Sequence, residues 1–228
     1  IKVTHWDDIE LDVQVLGICV EVMGTYLEGD FFDQFSQEDV LWLGEVVEHF
    51  VRVCERETVF LEEAVRFSKM VAEEMSKFNV KVDRVRVLVE MCERVAKLIG
   101  EDEFMLDVWT LYGDFSVSIK DYEKAKEYYL RAKDLATQIN ADPVEFSKIY
   151  EELGLLYDLT DEQVEAKEYF KKSLEIDLEI DDWADIANDY NELGLICSTL
   201  NEYQESKYYF EQCLEYNIKK NGENHENT

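Results

Sequence analysis

Proline is almost missing from this chain. Pro143 is the single one among 228 residues, and there are only nine glycines. A sequence so short of both breakers does not read as many short strands or long irregular loops; it reads as long helices joined by tight turns. Cysteine is scarce and odd in number. Cys19, Cys54, Cys92, Cys197 and Cys213 include no C-x-x-C pair, which argues against a disulfide framework or a zinc knuckle and makes a reducing, cytoplasmic setting the default. No stretch approaches eighteen consecutive apolar residues, so no membrane span is expected. Positive charge is the largest deficit: 23 Lys and Arg stand against 53 Asp and Glu, a formal net charge of −30. Binding phosphates requires clustered basic side chains, so nucleic acid and anionic membranes are disfavoured as partners. The same field favours a basic or uncharged partner, mainly through the rate of association.

Catalytic signatures are lacking too. The three histidines, His5, His49 and His225, have no metal-ligand spacing with one another or with a cysteine. No phosphate-cradling glycine loop, GxSxG or HExxH is present. Neighbouring acids such as Glu62-Glu63 and Glu151-Glu152 point to different sides of a helix and do not converge. The expectation is a non-enzymatic chain with no catalytic residue, no metal and no cofactor.

What is present is helical periodicity. Apolar residues at helical spacing predict a first helix over 6–28, stopping at Gly29-Asp30. A linker over 31–35 precedes a helix from Ser36 to about Arg56, and two more follow at about 58–78 and 81–99, the last stopped by Gly100. Six further helices fall at about 103–118, 121–139, 143–159, 162–180, 183–200 and 203–220, with Asp142 as N-cap before Pro143. The tail 221–228 reads as disordered.

Those six helices form three copies of one pattern. The first helix of each pair carries a large aromatic at Trp109, Tyr150 and Tyr190, then a bulky residue beside glycine at Tyr112-Gly113, Leu153-Gly154 and Leu193-Gly194. The second helix carries a small residue (Ala125, Ala166, Ser206) and an aromatic four later (Tyr129, Phe170, Phe210). A second small residue follows (Ala132, Ser173, Cys213), then a larger one (Leu135, Ile176, Tyr216). Small-to-large alternation of this kind lets antiparallel helices interlock, and the glycine admits the partner helix closely. Lys126, Lys167 and Lys207 recur with the same period and are expected to pair with neighbouring acids.

The pattern resembles the tetratricopeptide repeat, in the longer-helix form found in kinesin light chains. The copies here recur after 41 and then 40 residues and lack the closing proline of that signature. The resemblance implies an all-α, right-handed superhelical solenoid of about ten antiparallel helices. It divides the chain into a divergent pair or N-terminal cap over 1–57, a degenerate repeat over 58–102, three repeats over 103–220 and the tail. It also implies a concave face, lined by the first helix of each pair, that binds a protein or peptide partner. Carried over by column, that face comprises Asp107, Thr110, Asp114 and Ser118, then Lys148, Glu151, Leu155 and Asp158, then Asn188, Asn191, Leu195 and Ser198. Thr110, Asp114, Glu151 and Leu155 stand where repeats that hold acidic chaperone termini carry a basic clamp, so a carboxylate ligand would be repelled. The alternative within the family is a secretion-type chaperone that holds a partly unfolded client. After the last pair too little chain remains for a capping helix, so self-association through the C-terminal edge, or continuation in a longer parent chain, is expected.

Overall fold

A computed structural model describes residues 36–77 and 82–226 of the chain. Among these residues there are nine α-helices and no strand. They are α1 (Gln37–Glu57), α2 (Leu61–Lys77), α3 (Val82–Ile99), α4 (Asp102–Ser118), α5 (Tyr122–Ile139), α6 (Pro143–Leu159), α7 (Gln163–Ile180), α8 (Trp183–Thr199) and α9 (Tyr203–Glu226). The helix expected over 6–28 and the linker after it lie outside the described residues. One expectation needs correction: α9 continues to Glu226, so 221–226 is helical and not an irregular tail. Gly222 weakens a helix by about 1 kcal/mol without breaking it, and no proline follows to force a stop.

The chain divides into two compact units, residues 1–121 and 122–228. In the first, α1 packs on α2 and α2 on α3, and α4 adds itself to α3 and α2. The core is built from the apolar stripes of these helices: Phe50, Val51 and Cys54 from α1, Phe67, Val71 and Met75 from α2, and Leu88, Val89 and Cys92 from α3. Phe50 and Phe67 meet with ring centroids 5.8 Å apart. In the second unit, α6 pairs with α7 and α8 with α9, while α5 lies against α6 and α7 against α8. Ala125, Tyr129, Ile149, Leu153, Ala166, Phe170, Ile186, Leu193 and Cys197 fill its centre.

The repeat extends to the backbone of the turns. Lys120, Asp161 and Asn201 occupy one column and all adopt a left-handed conformation, with φ of 62°, 65° and 63°. The next residue in each case donates its N–H back across the turn, Glu162 to Tyr157 O and Glu202 to Cys197 O, both at 2.8 Å. That closure satisfies carbonyls that a helix end would otherwise leave open. Asn140 and Asp181 do the same between hairpins, at φ of 51° and 61°. Asp142 caps its helix as the sequence suggests, Oδ1 accepting from Val144 N at 3.0 Å, and Asp182 Oδ1 likewise accepts from Ala184 N and Asp185 N.

The signature glycines sit at the helix crossings of the second unit. A Cβ on Gly154 would lie 2.8 Å from the Phe170 ring, and one on Gly194 would lie 2.7 Å from the Phe210 ring. Phe170 is sealed in the core at 2% exposure, whereas Phe210 is 38% exposed and free to give way. Alanine adds about 1 kcal/mol of helix propensity, and overpacking a closed core costs about 1–3 kcal/mol. Gly154→Ala is therefore predicted to destabilise the fold by about 1–2 kcal/mol in denaturant titration, and Gly194→Ala to be near neutral. Equal effects at the two positions would contradict this account.

Candidate functional site

The face expected to bind a partner is carried in the second unit by two matched stripes. Lys148, Glu151, Leu155 and Asp158 run along α6, and Asn188, Asn191, Leu195 and Ser198 hold the same columns on α8. Spacing of three and four residues keeps each stripe on one side of its helix. Lys148, Asp158, Asn188 and Ser198 are exposed. Leu155 and Leu195 are 41% and 48% exposed, apolar groups standing in a polar row at the same repeat position. Asn191 is half-buried and donates Nδ2–H to Glu192 at 3.2 Å. Asp158 accepts from Gln163 Nε2 at 2.8 Å. The α4 stripe lies in the first unit. There Asp107 is held by the Lys69 ammonium of α2, Asp114 is half-buried, and Ser118 turns its hydroxyl onto Phe115 O at 2.7 Å. Thr110 is buried and donates its hydroxyl to Leu106 O at 3.1 Å, so it offers no accessible polar group to a ligand.

Two of the three recurrent lysines join successive hairpins within the second unit. Lys126 on α5 reaches Glu162 at 3.5 Å and lies over the Tyr157 ring at 4.3 Å. Lys167 on α7 binds both Glu202 and Glu205. Lys207 on α9 pairs with Glu211 of its own helix, at 3.6 Å. Cys197, Glu202 and Glu205 form the one group of donor atoms among the described residues close enough to surround a metal ion. The Lys167 ammonium already bridges its two carboxylates there.

One feature escaped the reading of the sequence. Four core columns that are apolar in the first copy, Leu106, Val108, Ala132 and Ala136, become polar where α6, α7 and α8 meet. Ser147 replaces the first, Ser173 and Asp177 the last two, and Asp189 stands in the column of Val108 and Ile149. All four are buried, the two aspartates completely. Ser147 Oγ donates to Asp177 Oδ1, and Ser173 Oγ lies 2.9 Å from Ser147 Oγ and 3.1 Å from Ser147 O. Neither carboxyl oxygen of Asp189 has a donor. Burial, then the neighbouring Glu151 and Asp177, push its carboxyl up to about 9, with Ser173 opposing. At neutral pH Asp189 is thus the uncharged acid, which can donate to Asp177 where a carboxylate could not. Glu151, on the outer side of this cluster, is pushed up to about 7 by burial and then by Asp185, Asp177, Glu152 and Asp182. A charged residue in a column otherwise held by valine and isoleucine was the available sequence signal.

Comparison with known proteins agrees with this geometry. Residues 106–138 and 145–219 each match a sequence model of the tetratricopeptide repeat. The chain is a tetratricopeptide repeat protein. The putative kinesin light chain repeats of Podosopora anserina superpose with a TM-score of 0.65 at 16% identity, covering 93% of this chain and 99% of that one. BtubC (BKLC) of P. vanneervenii gives 0.64 at 14% identity, over 91% of this chain and 93% of that one. The apo form of RapI gives 0.61 at 14%, over 93% and 87%. At such identities the likeness is one of fold. No curated protein matches the chain by sequence. The helices α4 to α8 are 17 or 18 residues long, which accounts for a period longer than the ~34 of the shorter repeat.

The buried acid carries a pH signature. Between the unfolded value near 4 and about 9, the folded chain holds a proton on Asp189 that the unfolded chain has released, so stability falls as pH rises. Asp189→Asn keeps the shape and removes that proton. Its stability relative to the parent is predicted to improve between pH 6 and 9, by up to ~1.4 kcal/mol per pH unit, in paired denaturant titrations. Parallel profiles for the two proteins would show that Asp189 does not titrate as described.

Proposed function

We propose that the chain is a non-enzymatic protein- or peptide-binding scaffold, and that its partner lies along the stripes of α6 and α8, with the α4 stripe as the matching surface of the first unit. Tetratricopeptide repeats are scaffolds for protein–protein interaction, which supports the class. The single observation that favours this face is the pair Leu155 and Leu195, exposed at equivalent positions among hydrogen-bonding groups. An extended segment gains apolar contact from such leucines and backbone hydrogen bonds from amides such as Asn188 and Asn191. The formal charge of −30 favours a basic or uncharged partner over a polyanion. The described cysteines Cys54, Cys92, Cys197 and Cys213 are free thiols, in keeping with a cytoplasmic site of action. Charge reversal at Asp114, Glu151 and Asp158 together is predicted to weaken capture of the partner, identified by pull-down and mass spectrometry, by about ten-fold or more. Helicity by circular dichroism should be unchanged. Undiminished capture would argue against this face, and recovery of one unfolded client would favour the chaperone reading.

The edge presented by α9 supports self-association with a second copy. In α7, Phe170 and Leu174 are 2% and 8% exposed because α8 covers them. The same columns in α9, Phe210 and Leu214, are 38% and 62% exposed, and Ile218 is 63% exposed. Tyr209 and Tyr216 are half-buried against Tyr190, at centroid distances of 6.1 and 5.7 Å. Light scattering is expected to give a dimer or higher species for the parent chain and a monomer for Leu214→Glu combined with Ile218→Glu. A monomeric parent chain at high concentration would exclude the α9 contact.

A further inference from the structure

The geometry points to a second binding site, on the row of rings that Tyr209, Tyr190 and Tyr216 form between α8 and α9. Its ligand is an organic cation, the ammonium of a lysine side chain, free or methylated, on another molecule. A comparison of the three copies carries this. One column of the second helix holds Arg131, Lys172 and Gln212, and three residues before it stands a tyrosine each time, Tyr128, Tyr169 and Tyr209. Where that column is basic, its cation lies on the ring. Arg131 is 5.7 Å from the centroid of Tyr128. Lys172 is 4.9 Å from that of Tyr169 and 5.8 Å from that of Tyr150. No carboxylate pairs with Lys172 among the described residues, so the rings hold it where acids hold Lys167. The face of an aromatic ring is negative and attracts a cation within about 6 Å of its centre.

The third copy keeps the rings and drops the cation. Tyr190 stands 6.1 Å from Tyr209 and 5.7 Å from Tyr216, with the planes 34° and 32° apart. Tyr216 occupies the column that Leu135 and Ile176 hold, so this copy has gained a ring as well. Gln212 follows Tyr209 by three residues and precedes Tyr216 by four, which sets all three on one side of α9. Its amide is neutral, half-buried and without a hydrogen bond among the described residues. Lys219 lies over Tyr216 at 4.5 Å and pairs with Glu215 at 3.0 Å, so the end ring has a cation of its own. Neither Tyr209 nor Tyr190 carries one on its ring among the described residues. Tyr209 and Tyr216 are half-buried beside the buried Tyr190, which leaves the edge of the row open to solvent. Rings attract a cation without needing its hydrogen bonds, so an ammonium whose protons are replaced by methyl groups fits as well. The site lies on a different side of α8 from Asn188, Asn191 and Leu195, and it stands whether or not that stripe binds a partner.

The test uses the full chain with isotope-labelled tyrosine rings, followed by NMR at constant ionic strength. The probes are the amidated peptide Gly-Ser-Lys-Ser-Gly, its trimethyl-lysine form and its uncharged norleucine form. Both cationic peptides should move the ring signals of Tyr190 and Tyr209, and should bind about five-fold or more tightly than the norleucine peptide. Gln212→Lys restores the pattern of Lys172 and should abolish binding of both, because the chain then fills its own site. Gln204→Lys adds the same charge at the exposed start of α9 and should leave most of the binding in place. Tyr209→Leu keeps an apolar contact but removes the ring, and should weaken both cationic peptides several-fold at unchanged circular dichroism. Tighter binding of the trimethyl-lysine peptide than of the lysine peptide would support the methylated ammonium as the ligand, and equal binding would support either form. Ring signals that no peptide moves, equal binding of the norleucine peptide, equal losses in Gln204→Lys and Gln212→Lys, or full binding by Tyr209→Leu would overturn the proposal.

Discussion

The contact between a glycine on one helix and the ring of a phenylalanine on the next sets the geometry of the second unit. Gly154 meets Phe170 and Gly194 meets Phe210, each with no room for a single methyl group between them. Because the helices touch there, the small residues Ala166 and Ser206 can lie in the crossing, and Ser206 Oγ donates to Gly194 O at 2.9 Å. Close approach at one point then fixes where the turns must fall. The left-handed residues Asp161 and Asn201 stand in the same relation to the two glycines. Sequence period, helix crossing and turn geometry are three expressions of one steric requirement.

Against that regular scaffold the junction of α6, α7 and α8 is the exception. Repeats stack by presenting complementary apolar surfaces, and in the first copy the corresponding columns hold Leu106, Val108, Ala132 and Ala136, each buried. The α6–α7–α8 junction has in those columns two serines and two aspartates, whose hydrogen bonds close largely among themselves. Low dielectric makes such a network costly when one charge too many is present, and retention of a proton on Asp189 is the least costly remedy. Glu151 lies half-buried beside this interior, and its acidity is set by burial and by acids that include the buried Asp177.

Much of the architecture was legible in the residues because it repeats. Trp109, Tyr150 and Tyr190 announce the columns, and three copies in register reinforce one another where any one alone would be weak. Helix limits from α1 to α8 follow from caps and stops such as Asp142 and Gly100. The continuation of α9 was not legible, since a glycine inside Asn221–Glu226 reads locally as a break while helix propagation tolerates it. Nor was the loss of Thr110 from the accessible face: its column is half-buried at Glu151 and Asn191, and only packing decides which copy closes over it. The aspartates at 177 and 189 were hidden for the opposite reason. In a chain with 53 acidic residues one more carboxylate attracts no notice until burial is known.

The uneven covering of the last hairpin has a dynamic corollary. α9 packs chiefly on α8, with Leu214 and Ile218 open to water, whereas α7 is clasped on both sides by α6 and α8. In an array held together by nearest neighbours, an element with one neighbour opens at a small fraction of the global free energy. Amide hydrogen exchange should therefore be graded along the unit, fastest in α9 and slowest around Phe170, so that fraying begins at the surface most ready to accept another helix.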